Sequence, residues 1–113
     1  MKLEEILKND IAAMGRQLIA KNLVAGSWGN ISCLVDDASL VITPSGMGYE
    51  KQRAEDIVLI DFEGNVLEGK HFPSSESKLH TAIYRACPEA KAIIHTHSIY
   101  SVSYTHLTLP TKA

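Results

Sequence analysis

Apolar side chains at Leu3, Ile6, Leu7, Ile11, Met14, Leu18 and Ile19 recur at three- and four-residue spacing, which predicts an amphipathic helix over the first twenty residues. The helix must stop before Gly26, because Gly26-Ser27-Trp28-Gly29-Asn30 is rich in turn formers. The pattern then becomes that of short strands. Residues 31–35 and 39–43 flank Asp36-Asp37-Ala38 and predict an antiparallel hairpin, and residues 57–61 and 65–67 flank Phe62-Glu63-Gly64 and predict a second. Between the hairpins lies a two-glycine loop, Pro44-Ser45-Gly46-Met47-Gly48. Pro73 followed by Ser74-Ser75-Glu76 predicts a helix start, with hydroxyls to cap free amides and an acid in the first turn. Leu79, Ala82, Ile83 and Ala86 set that helix's expected core face, and Pro88 ends it near Cys87. Residues 91–97 predict the last strand. Hairpins with separated helices, and no strand–helix–strand repeat, predict an α/β chain with a mainly antiparallel sheet covered by helices.

Composition adds constraints. At 113 residues, 45% hydrophobic and 21% charged, the chain is one domain able to bury a core. A formal net charge of -2 gives no basic footprint, so neither nucleic acid nor an anionic membrane is expected as a partner. Apolar runs are far shorter than the roughly 20 residues of a spanning helix, and the N-terminus mixes charges, which predicts a soluble cytoplasmic protein. Cys33 and Cys87 read as buried reduced thiols without a role.

The candidate chemistry gathers near the last strand. His95 and His97 leave the same face of a strand, close enough for one divalent cation, but for the spacing alone two hydrogen-bonded histidines at a strand end are the commoner arrangement. Glu76, in the preceding helix start, is either a carboxylate brought to that pair or a plain helix-dipole acid. Ser74 and Ser75 serve as caps or, with the amides of Gly29-Asn30 and Ser45-Gly46, as an anion site suited to phosphate. Tyr49, Tyr84 and Tyr100 are undifferentiated proton donors; Trp28 reads as packing, and His71, His80 and His106 share no spacing with the pair.

Together, Trp28-Gly29-Asn30-Ile31-Ser32, Ile42-Thr43-Pro44-Ser45-Gly46, Pro73-Ser74-Ser75-Glu76 and His95-Thr96-His97-Ser98, in this order and spacing, resemble the class II aldolase and adducin-like family over residues 3–102. The resemblance implies a three-layer α/β/α fold around a mainly antiparallel sheet, incomplete in this chain, and a homotetramer with active sites at subunit boundaries. It also implies zinc held by Glu76, His95 and His97, with Glu76 as general base. Gly29, Asn30, Ser45, Gly46, Ser74 and Ser75 would then bind the substrate phosphate. The implied reaction is aldol cleavage of a phosphorylated ketose to dihydroxyacetone phosphate and an aldehyde. Zinc acts there as a Lewis acid for the enediolate, and no Schiff-base lysine is needed. Glu at position 76 resembles the aldolases, whereas the related pentulose-phosphate 4-epimerases tend to carry Asp.

Alternatives within the resemblance are that epimerase, a methylthioribulose-phosphate dehydratase or decarboxylase, and a non-catalytic adducin-like binding module. The family's full domain is about twice this length and has a third zinc histidine downstream; His106 is too near to be it. Residues 103–113 do not resemble the family's continuation, which predicts a truncated or spuriously joined frame. A site with only two imidazoles and one acid is expected to hold zinc weakly.

Overall fold

The computed structural model describes residues 2–21 and 29–96. The elements are α1 (Leu3–Ala20), β1 (Asn30–Asp36), β2 (Ser39–Ile42), β3 (Val58–Asp61), β4 (Val66–Glu68), α2 (Ser77–Ala86) and β5 (Ala92–His95). Single turns of 3-10 helix at Tyr49–Lys51 and Ala54–Asp56 link β2 to β3. The strands form one sheet in the order β4-β3-β2-β1-β5, every neighbouring pair antiparallel.

Strand alternation decides which helix each side chain meets. Ile31, Cys33 and Val35 of β1 join Val41, Leu59, Ile57 and Tyr49 under Ile11 and Leu18 of α1. On the opposite face Leu34, Leu40, Ile42, Val58, Ile60 and Ile93 pack with Tyr84 of α2. The expected three layers are therefore present, with the sheet between two helices. Gly15 lets α1 settle closely: a Cβ there would stand 2.8 Å from Cδ1 of the buried Tyr49 ring.

Several expectations need correction. α1 buries Lys8, Ile11, Ala12, Gly15 and Leu18, while Leu3, Ile6 and Met14 of the expected face are exposed. The Lys8 stem is buried and its ammonium reaches Glu68 of β4 at 2.5 Å. In α2 the expected core face is turned outward. Leu79 is 47% exposed, Ala82 and Ala86 are exposed and Ile83 is half-buried, whereas His80, Thr81 and Tyr84 are buried. The cause is a polar surface on β1, described below, which only polar side chains can satisfy. The helix also begins later than expected. Ser77 N–H donates to the Ser74 carbonyl at 3.0 Å, closing a turn over residues 74–77 that leaves Glu76 at the N-cap position. Cys87 is exposed, against expectation, because it lies beyond the last turn of α2; Cys33 is half-buried, and both are free thiols. Strand β5 ends at His95; His97, Trp28, Tyr100, His106 and residues 103–113 lie outside the described residues. Among the described residues no helix is long and apolar enough to cross a membrane.

Candidate functional site

Antiparallel pairing of β1 with β5 sets Asn30 directly opposite His95, and directly opposed residues project from the same face of a sheet. That face is covered by α2, so both side chains lie beneath its N-terminal end. Glu76, at the N-cap, completes the cluster: its Oε1 contacts His95 Nδ1 and accepts from Asn30 Nδ2 at 3.2 Å. The expected approach of Glu76 to the last strand is thus present in the geometry. The side chains of Glu76 and His95 retain 36% and 32% of their exposure, enough for a solute to reach them.

Loop positions follow from backbone pairing. Thr43 N–H donates to the Ile31 carbonyl at 3.0 Å, and Ile31 N–H donates to Thr43 Oγ1 at 3.2 Å, tying the end of β2 to the start of β1. Ser74 N–H then donates to the Thr43 carbonyl, and Ser45 N–H to the Phe72 carbonyl, each at 2.9 Å. Two of the three loops expected to bind an anion, Ser45-Gly46 and Ser74-Ser75, are thereby stitched side by side. Gly46 has φ +72°, a left-handed conformation that favours glycine. Gly29, at φ +103°, passes so close to β5 that a Cβ would meet the His95 carbonyl oxygen at 2.6 Å. Ser74 is buried, its hydroxyl accepting the Glu76 N–H at 3.2 Å, while Ser75 and Ser45 are exposed. Ser74 therefore acts as a cap for Glu76, one position before the helix proper.

Sequence reasoning missed His80. It is wholly buried, with Nε2 bonded to Asn30 Oδ1 and Nδ1 lying 2.7 Å from Ser32 Oγ, which also lies 2.7 Å from the Tyr84 hydroxyl. Burial, reinforced by the nearby His95 ring, lowers the imidazole from 6.5 to about 4 despite the opposing Glu76 carboxylate, so His80 is neutral at physiological pH. Burial likewise pushes the Tyr84 phenol up to about 12. The available signal was spacing: Glu76, His80 and Tyr84 stand four apart, one stripe of a helix, opposite Asn30 and Ser32, two apart on a strand. Four helical residues rise about 6 Å and two strand residues about 6.6 Å, so the two series stay in step. His71 is separate from the site, bonded through Nε2 to Asp56 Oδ1 at 2.9 Å. Tyr49 is buried on the α1 side, where burial pushes its phenol up.

Zinc accepts imidazole nitrogen and carboxylate oxygen together, and the meeting of His95 Nδ1 with Glu76 Oε1 provides both donors at one point. Asn30 supports the carboxylate from behind, as outer hydrogen bonds commonly support ligating acids. In donor type these two residues fit such an ion. Among the described residues no three His, Cys, Asp or Glu side chains converge, and His97 lies outside them. A cleft of about 700 Å³ lies at the other end of α2, lined by Asp36, Phe62, Arg85 and Lys91 among others, and no histidine among the described residues borders it.

The profile of the Class II Aldolase and Adducin N-terminal domain matches residues 9–112. A protein of Mycoplasma pneumoniae named "Probable L-ribulose-5-phosphate 4-epimerase" is 37% identical over 111 residues, covering 96% of this chain and 46% of that protein. Among solved structures, an L-fuculose 1-phosphate aldolase is 35% identical with a TM-score of 0.80, over 87% of this chain and 47% of that one. The L-fuculose-1-phosphate aldolase of Thermus thermophilus is 28% identical with a TM-score of 0.74, over 90% of this chain and 51% of that one. The chain spans about half the length of the relatives it matches. With its sheet, both covering helices and the Asn30–Glu76–His95 cluster in place, the chain belongs to the class II aldolase and adducin family.

Proposed function

We propose that a full-length protein carrying this domain is a metal-dependent lyase that cleaves a phosphorylated ketose of the L-fuculose 1-phosphate kind to dihydroxyacetone phosphate and an aldehyde. The observation that carries this reading is the contact of the Glu76 carboxylate with the His95 imidazole beside Asn30. In this reading Glu76, His95 and His97 hold zinc, which when bound supplies Lewis acidity toward the substrate carbonyl. Glu76 takes or returns the proton on the carbon that gains and loses charge. Its position at a helix end, steadied by the Ser74 cap and the Asn30 amide, keeps the carboxylate aimed at one point. The amides and hydroxyls of Gly29, Asn30, Ser45, Gly46, Ser74 and Ser75 take the phosphate, orienting the sugar from a point remote from the breaking bond. Assembly as a cytoplasmic homotetramer belongs to the same reading.

Glu at position 76 favours cleavage. A second reading, 4-epimerisation of a pentulose phosphate, is favoured by the name of the Mycoplasma pneumoniae relative. Product analysis separates them: a triose phosphate with an aldehyde supports the lyase, and an epimer of unchanged mass supports the other. Full-length Glu76→Gln is expected to lose most turnover while keeping phosphate-ester binding and fold; undiminished turnover refutes the role of Glu76. Stoichiometric zinc in the full-length protein supports an enzyme, and its absence after expression in zinc supports a non-catalytic adducin-like module.

A further inference from the structure

The polar groups beneath α2 form a chain whose direction can be worked out from valence. Asn30 Nδ2 donates to Glu76 Oε1, so the amide's other end, Oδ1, is the atom facing His80 Nε2. An amide oxygen only accepts, so Nε2 must carry the ring proton. A neutral imidazole protonated at Nε2 leaves Nδ1 as an acceptor, which takes the Ser32 hydroxyl proton at 2.7 Å. Having donated its one proton, Ser32 Oγ accepts from the Tyr84 hydroxyl, also at 2.7 Å. Every bond in the series points the same way, from Tyr84 through Ser32, His80 and Asn30 to the carboxylate. Ser32 and His80 have no exposure and Asn30 and Tyr84 have 5% each, so water does not compete for these groups.

We propose that His80 is a positioning residue, holding the Asn30 amide with its NH2 toward Glu76 through this one-way series of hydrogen bonds. The proposal rests on Glu76 being the working carboxylate, as argued above. An amide's two ends are nearly equal in size, so packing alone would let Asn30 turn over. The turned amide would set its oxygen against a carboxylate oxygen, and the Nε2–H of His80 against an NH2 group. Glu76 makes that orientation unfavourable at one end, and His80, with its proton on Nε2, makes it unfavourable at the other. The His80 ring nitrogens are taken up by Asn30 and Ser32, so its effect on the site passes through Asn30.

Two measurements test this on the full-length protein. The first is NMR of isotope-labelled histidine nitrogens, which reads the tautomer of His80 directly and needs no activity. A proton on Nε2, absent from Nδ1, supports the relay; a proton on Nδ1, or a ring averaging between the two, overturns it. The second compares His80→Phe, which fills the space without hydrogen bonding, with His80→Gln, whose amide can still donate to Asn30. Loss of an outer support of this kind typically lowers activity about 10- to 100-fold, the fall expected in kcat/KM for His80→Phe. His80→Gln should recover most of that loss at a similar melting temperature. Equal loss in both variants, or none in either, overturns the positioning role. Should wild-type protein turn over no phosphorylated ketose, the functional reading fails, while the tautomer still decides the relay.

Discussion

Replacing Ser32 with Ala gives the sharpest test of the polar layer under α2. Ser32 has no exposed surface, and its one hydroxyl serves both His80 Nδ1 and the Tyr84 phenol at 2.7 Å. Its removal strands two buried polar groups at once. Each such group costs about 1–3 kcal/mol, so the substitution should destabilise the fold by about 2–6 kcal/mol. The gap left by one oxygen is too small for a water to take over both bonds. Against a typical total of about 5–15 kcal/mol this is a large fraction of all stability. Tyr84→Phe should cost less, about 1 kcal/mol, because Ser32 keeps its bond to His80. In the Tyr84→Phe background, Ser32→Ala strands only His80, so its cost should shrink by about 1–3 kcal/mol. Urea unfolding followed by far-ultraviolet circular dichroism, with an unchanged denaturant slope, measures all four corners of this cycle. A Ser32→Ala cost below about 0.5 kcal/mol, or strictly additive effects, would refute the reasoning.

The remaining expectations concern pH and two glycines. His80 titrates near 6.5 when unfolded and at about 4 when folded, so between those values the unfolded chain binds the extra proton. Stability should therefore fall as pH drops through that window, by up to about 3 kcal/mol, and His80→Gln should flatten that stretch of a stability–pH curve. Gly29→Ala combines a φ of +103° with a Cβ placed 2.6 Å from the His95 carbonyl oxygen. It should cost at least about 1–3 kcal/mol in denaturant titration and shift the amide signals of β5 in NMR spectra. Gly15→Ala improves helix propensity, yet it drives a Cβ to 2.8 Å from the Tyr49 ring. Net destabilisation of about 1–3 kcal/mol is expected from calorimetry, and a net gain would mean that the ring has room to yield.

What could be read from the sequence was whatever local rules govern. Both hairpins fall within about a residue of their predicted bounds because alternation and turn residues specify them without help from the rest of the chain. The Glu76–His95 contact was legible too, since a helix followed by a strand must fold back against the sheet. The orientation of α2 was not. Leu79, Ala82, Ile83 and Ala86 carry a helical apolar period, and nothing local reveals that the sheet surface beneath presents Asn30 and Ser32 beside its aliphatic groups. Hydrophobic patterning assumes an oily core, and here hydrogen-bond satisfaction overrode it. His80 escaped for the same reason: its meaning depends on Ser32, 48 positions away. Glu76 was placed one position too deep because the Ser74 turn, which precedes the helix, mimics a first helical turn in composition.

The matched repeats of α2 and β1 bear on how such a scaffold can change over time. Adding or deleting one residue between Asn30 and Leu34, or between Glu76 and Tyr84, would shift a whole row of partners off its mates, so neither stretch can tolerate a change of length. Loops that lie outside that alignment are not held by it to a fixed length. Variation in length is therefore confined to the connections, while the pairing of acid and imidazole stays in register.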